Sequence, residues 1–123
     1  MLKNIPRILN AEILKVLLQM GHGDDLLICD VNHPAATIAA ETVWGKVIDL
    51  SGTDIPTGLA AILELMPVDT FVEAPVKRMQ VVGDPEKSLP IFEQVKAVIE
   101  AAEGRPVMIE PLERFAFYDA AKA

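Results

Sequence analysis

Apolar residues recur at helical spacing in several stretches of this chain. Ile13, Leu14, Leu17 and Leu18 form a two-turn stripe over residues 11–20, and Gly21 stands where such a helix would end. Leu59, Ile62, Leu63 and Met66 repeat the pattern behind Pro56, with candidate N-caps at residues 51–54 and Pro67 as a stop. Ile91, Phe92, Val95, Val98 and Ile99 predict a helix over residues 89–102, and residues 114–121 have the composition of a last one. Between these stretches the pattern changes. Residues 26–29 are a continuous apolar run, which suits a strand covered on both faces, and residues 42–50 gather Val43, Trp44, Val47 and Ile48 around Gly45 as a strand bent at the glycine. Residues 76–82 read as a strand ahead of a turn at 83–85, and residues 107–109 as a short one. Helices alternating with strands predict an α/β fold: a single domain with a central, largely parallel sheet flanked by helices.

The chain of 123 residues is long enough to bury a core and too short for two domains, so residues 1–123 are read as one domain. Hydrophobic residues make up 51% of it, yet no run of 18 apolar residues occurs, and no membrane span is expected. Pro6 and Asn10, with Glu12 and Lys15 behind them, also make an N-terminal export signal unexpected. A formal charge of −7 argues against nucleic acid, whose phosphates an acidic surface repels. Lys77-Arg78, the only adjacent basic pair, reads as solvated surface. Cys29 is the only cysteine, so no intrachain disulfide can form, and a buried thiol in an apolar run points to a reducing, cytoplasmic compartment. So apolar a small domain exposes more hydrophobic surface than it can bury alone, which predicts a homo-oligomer.

Chemistry concentrates in Met20-Gly21-His22-Gly23-Asp24 and in Asp30 after the apolar run. Glycine on both sides of His22 relieves backbone restriction and leaves room for a ligand beside the imidazole, although a helix cap followed by a polar turn has the same residues. Exposed carbonyls at a helix C-terminus favour imidazolium, which equips His22 as a general acid. Asp24 either orients that ring or is an exposed turn carboxylate. Asp30 stands where the strand would end, the place where ligands collect in α/β folds, and suits hydroxyl groups. A strand at about 3.3 Å per residue would separate His22 from Asp30 by roughly 13–17 Å. One ligand then meets both only if the strand is short or bent, or if neighbouring subunits share the pocket. His33 either lines the Asp30 pocket or faces solvent. Arg114 and Tyr118 share a helix face and can hydrogen-bond a polyhydroxyl ligand, or Phe115 and Phe117 anchor the helix while Arg114 snorkels. His22, Asp24, Asp30 and His33 match no metal-ligand spacing, and there is no phosphate loop, dinucleotide glycine pattern or nucleophile motif.

Met1-Leu2-Lys3-Asn4-Ile5-Pro6, Leu14-Lys15-Val16-Leu17, Met20-Gly21-His22-Gly23-Asp24, Asp30 with Pro34, and Arg114-Phe115-Ala116-Phe117-Tyr118 occur in an order that spans nearly the whole chain. Together they resemble the L-fucose mutarotase branch of the ribose pyranase and fucose mutarotase family. The Gly-His-Gly-Asp and Arg-Phe-Ala-Phe-Tyr blocks are specific as a pair; the elements between agree in pattern. The resemblance implies an α/β subunit in a ring-shaped homodecamer with each monosaccharide site between adjacent subunits. It also implies His22 as proton donor, Asp30 and Arg114 as sugar contacts, and anomer interconversion by ring opening without metal or redox cofactor.

Two departures from the family pattern matter. His33 stands where the family usually has Phe, which makes the pocket more polar and its preferred sugar different. Family members also continue past the final helix into an apolar strand and a Tyr-Gly-Asn sugar-contacting motif, whereas these residues end at Ala123. That leaves either a shortened chain or a member with part of its site lost. The expected function is therefore a cofactor-free, cytoplasmic mutarotase for L-fucose or a similar monosaccharide. D-ribose pyranase activity, a non-catalytic monosaccharide-binding protein and a ligand-free oligomeric scaffold are the alternatives, and the scaffold leaves the two glycines unexplained.

Overall fold

Asn10 sets the start of the first helix in the computed structural model, which describes residues 1–123. Its Oδ1 accepts the Ile13 N–H at 2.9 Å, giving α1 (Ala11–Gln19) a satisfied N-cap, while its Nδ2 donates to the Asp49 carbonyl at 3.0 Å. Further on, Asp54 accepts the Thr57 N–H at 2.8 Å and Pro56 pre-sets the first turn of α3 (Ile55–Leu63). Successive residues of α3 then face different neighbours. Ile62 packs with Leu9, Ile13 and Ala61 in one core cluster, and Leu63 with Val68, Ile99 and Val107 in a second. This helix is therefore the wall between two small cores, and it packs along α4 (Pro90–Glu103).

The strands β1 (Val76–Met79) and β2 (Ile109–Leu112) are parallel and joined through α4, with Val76 opposite Ile109 and Met79 opposite Leu112. Parallel neighbours require such a crossover. Gly104 ends α4 at φ +69°, a left-handed cap conformation that glycine adopts without a Cβ clash, and donates its N–H to the Glu100 carbonyl at 2.9 Å. After β2, Glu113 alone separates strand from helix. Its carboxylate accepts the Phe115 N–H at 2.8 Å and the Ala116 N–H at 3.2 Å, so α5 (Arg114–Lys122) begins directly beyond the carboxyl end of β2.

The α/β class and the helices at both ends follow the sequence pattern, but the sheet is smaller than expected. It has two strands, and neither residues 26–29 nor residues 42–50 join it. Residues 26–29 are half-buried, with Leu26 and Ile28 on the first core cluster, and no neighbouring strand completes a ladder. In residues 42–50 turn chemistry prevails: the Thr42 hydroxyl donates to the Ala39 carbonyl at 2.7 Å and accepts the Gly45 N–H at 3.1 Å. The Trp44 ring instead carries the ammonium groups of Lys46 and Lys15 over it, 5.2 and 5.8 Å from its centroid. One element was not foreseen, the short helix α2 (Ala35–Ala39) behind Pro34, which packs against α5 and buries Ile38. The strand expected at 107–109 lies later, because Val107 is taken into the second core and pairing begins at Ile109.

Only ten residues are buried, while Leu18, Val31, Val43, Phe71 and Val72 are exposed. No helix is long and apolar enough to cross a membrane.

Candidate functional site

The loop after α1 positions His22. Met20 is extended at ψ 141° and gives its N–H to the Val16 carbonyl, so Met20, not Gly21, caps the helix. Gly21 and Asp24 then close a turn: the Gly21 N–H donates to Asp24 Oδ2 at 2.8 Å and the Asp24 N–H to the Gly21 carbonyl at 3.1 Å. Gly23 takes φ +88° inside that turn, which any side chain would strain, whereas a Cβ on Gly21 would meet only Asp24 Oδ2 at 4.0 Å. The Gly-His-Gly-Asp block thus makes a self-closed turn with His22 at its tip.

Asp24 is consumed by that turn and does not orient His22. Asp69 faces the ring instead, with Oδ2 3.5 Å from His22 Nδ1. The other carboxylate oxygen of Asp69 accepts the Phe71 N–H at 2.8 Å. This bond first, and the His22 imidazole after it, hold the Asp69 carboxyl below the usual carboxylate range against partial desolvation. The Phe71 ring stands edge-on to His22, with centroids 4.8 Å apart and planes at 87°. Glu103 at the end of α4 accepts the Val68 N–H at 2.8 Å, and Val68 is buried in the second core. A chain of contacts therefore runs from α4 through Val68 and Asp69 to His22. With Nδ1 turned to Asp69 and 74% of the side chain exposed, Nε2 is the nitrogen left for a ligand.

Asp30, His33 and Tyr118 form a second locus, and Arg114 stands one turn before Tyr118 on the same helix. Asp30 Oδ1 accepts the Asn32 N–H at 2.9 Å and its carbonyl accepts the His33 N–H at 3.2 Å, which folds the loop so that His33 reaches α5. There its ring meets Phe117 and Tyr118, at centroid distances of 6.1 and 5.6 Å. Burial pushes the His33 imidazole below its ordinary pKa, with nearby Asp30 opposing, and burial followed by Asp30 pushes the Cys29 thiol up. Arg114 lies one helical turn before Phe117 and Tyr118 with its guanidinium folded over Phe115, 4.6 Å from that ring centroid. Two polar atoms here are enclosed and unpaired, His33 Nε2 and Arg114 Nε.

Within one chain no hydrogen bond, ion pair or ring contact joins His22 to Asp30 or Arg114. No cluster of three or more His, Cys, Asp or Glu side chains makes a cage for a metal ion. Sequence reasoning missed Asp69, Phe71 and Glu103. Asp69 two residues ahead of Phe71 carries the signal of an aspartate turn, but nothing local announces that the turn faces His22.

Residues 3–123 match the model of the RbsD / FucU transport protein family. The chain belongs to this family. It is 41% identical to the fucose mutarotase of Mus musculus over 98% of this chain and 79% of that one. Among solved structures, FucU from Bifidobacterium longum superposes with a TM-score of 0.88 at 40% identity, covering 98% of this chain and 82% of the other. The fucose mutarotase of Streptococcus pneumoniae, solved in complex with L-fucose, does so with a TM-score of 0.84 at 35% identity, over 98% and 82%. As a member of the RbsD / FucU family, this chain folds as a small α/β domain with a parallel sheet that matches the FucU structure.

Proposed function

We propose that this chain is a carbohydrate isomerase, a mutarotase that interconverts the α and β anomers of L-fucose or a closely similar monosaccharide. The observation that carries this reading is the likeness, along 98% of the chain, to a solved fucose mutarotase holding L-fucose. The reaction needs a proton placed on the ring oxygen as the anomeric hydroxyl gives one up. The bond between C1 and the ring oxygen breaks, an aldehyde forms, C1 turns, and the hydroxyl re-adds from the other face with both protons returned. Both transfers are within the competence of one imidazole, and general acid–base catalysis of this kind contributes about 10²–10⁴-fold.

His22 is assigned the proton transfers through Nε2, with Asp69 fixing the ring through Nδ1 in the manner of the carboxylate–imidazole pairs of other acid–base sites. Asp30 keeps Oδ2 free, since Oδ1 is bound to Asn32, and accepts sugar hydroxyls there. Arg114 donates to the sugar once its side chain extends away from Phe115. The two loci serve one sugar when they come from adjacent subunits, in a ring-shaped oligomer that the reading takes to be a decamer. The exposure of Phe71 (79%) and Val72 (53%), close by His22, supports such a contact. A cytoplasmic setting accords with the free, half-buried Cys29.

Saturation-transfer NMR on L-fucose and D-ribose tests the reading. Accelerated anomer exchange of L-fucose is expected; sugar binding with exchange at the buffer rate would replace the isomerase by a binding protein. Light scattering tests the assembly, and a monodisperse monomer that is fully active would exclude a shared site.

A further inference from the structure

We infer that His33 is a specificity-determining residue of the sugar site, its imidazole hydrogen-bonding one hydroxyl of the monosaccharide next to the hydroxyl held by Asp30. The inference rests on the reading of the Asp30 locus as a sugar site and goes beyond it by naming a contact.

The backbone places the two residues side by side, because the His33 N–H donates to the Asp30 carbonyl at 3.2 Å and closes the loop that carries both. The imidazole then stands against the face of α5 that bears Arg114 and Tyr118. Its Nε2 has no hydrogen-bond partner in the protein, and neither has Nε of Arg114. Enclosed polar atoms are ordinarily paired, so an unpaired ring nitrogen beside Asp30 is hydrogen-bonding capacity held for something outside the chain. The sequence has no need of it for packing: a purely apolar ring at position 33 would fill the same edge-on places against Phe117 and Tyr118.

Access follows from the side chain itself. His33 is only half-buried, and the torsion about its Cβ–Cγ bond has a broad profile, so the ring can turn to meet a ligand. Burial also keeps the ring neutral near pH 7, so it offers one donor and one acceptor to a hydroxyl instead of a charge. A neutral imidazole beside the Asp30 carboxylate is the chemistry of a polyhydroxyl ligand: one hydroxyl donates to the carboxylate, and its neighbour donates to the bare ring nitrogen or accepts from the ring N–H.

The experiment measures kcat/KM by saturation-transfer NMR for L-fucose and for its 2-, 3- and 4-deoxy derivatives, with the wild-type chain and with His33→Phe. The ratio of variant to wild type cancels the intrinsic reactivity of each sugar. It is expected near 0.1 for L-fucose and for two deoxy sugars, and near 1 for the sugar that lacks the hydroxyl held by His33, since a lost hydrogen bond costs about tenfold. A ratio equal for all four sugars overturns the contact while leaving the mutarotase reading intact. A wild-type chain that accelerates none of them overturns both. His33→Gln, whose amide reaches the place of Nε2, guards against a folding defect in the Phe variant. It is expected to keep the wild-type pattern across the four sugars, and a Gln variant with no dependence on the hydroxyl removed also overturns the contact.

Discussion

His22 Nδ1 lies 3.5 Å from Asp69 Oδ2, and the other oxygen of Asp69 is already bound to the Phe71 N–H. The carboxylate is thus fixed before it meets the imidazole, and the imidazole has one nitrogen spoken for and one free. Asp69→Asn keeps the acceptor for Phe71 but removes the charge that faces the ring. We expect kcat for L-fucose to fall about 10- to 100-fold with KM within about threefold, because the positioning of the ring suffers while the sugar contacts remain. Steady-state exchange kinetics check this, and an unchanged kcat would remove Asp69 from the account.

Glu103 acts at one remove. Its Oε1 accepts the Val68 N–H at 2.8 Å and so ties the loop bearing Asp69 to the end of α4. Glu103→Ala leaves that partly buried N–H unpaired and is expected to cost about 1–2 kcal/mol. In thermal unfolding this is a fall in Tm of about 3–10 °C. Loss of activity without loss of stability would place Glu103 in the site itself.

Asn10 caps α1 with one side-chain atom and holds the Asp49 carbonyl with another. Asn10→Ala is expected to destabilise the protein by about 1–2 kcal/mol, while Asn10→Asp, which keeps the cap and loses the donor, should recover part of it. Urea unfolding with unchanged m-values reads both.

Burial lowers the pKa of His33 below its ordinary value of 6.5, against the opposing charge of Asp30. In the unfolded chain the same imidazole takes up a proton as the pH falls through about 6.5, while in the folded chain it resists. The unfolded state then binds more protons, so this residue makes the protein less stable as pH drops from 7 through 6.5 toward its lowered folded pKa, below which the loss levels off. Tm measured against pH should show that decline in the wild type and a shallower one in His33→Phe. Parallel curves would contradict the assigned burial of the ring.

How far the sequence reaches depends on whether the information is local. Helices α1, α3 and α4 were legible because periodic apolar residues, and for α3 the cap candidates that include Asp54, act within a few positions, and α5 was legible from its composition. The run at 26–29 shows the limit: its apolar continuity is real and its side chains are half-buried, but a strand also needs a partner, and pattern alone cannot supply one. Thr42 and Gly45 similarly close a turn where β-branched and aromatic composition suggested pairing. Of the candidate site, His22, Asp30, His33 and Arg114 were singled out by residue type and place, and the structure sets His22 apart from the other three. Asp69 was not, since its meeting with His22 is made by the packing of α3 and α4 and leaves no mark in the residues around either partner.

The central claim is that the free nitrogen of His22 moves the protons of sugar ring opening. Saturation-transfer NMR on L-fucose with the wild-type chain and with His22→Gln tests it most directly, because anomer exchange is read without any coupled reaction. The account predicts exchange well above the buffer rate for the wild type and a loss of about 10²–10⁴-fold in the variant, with sugar binding retained. Full exchange in His22→Gln would contradict it.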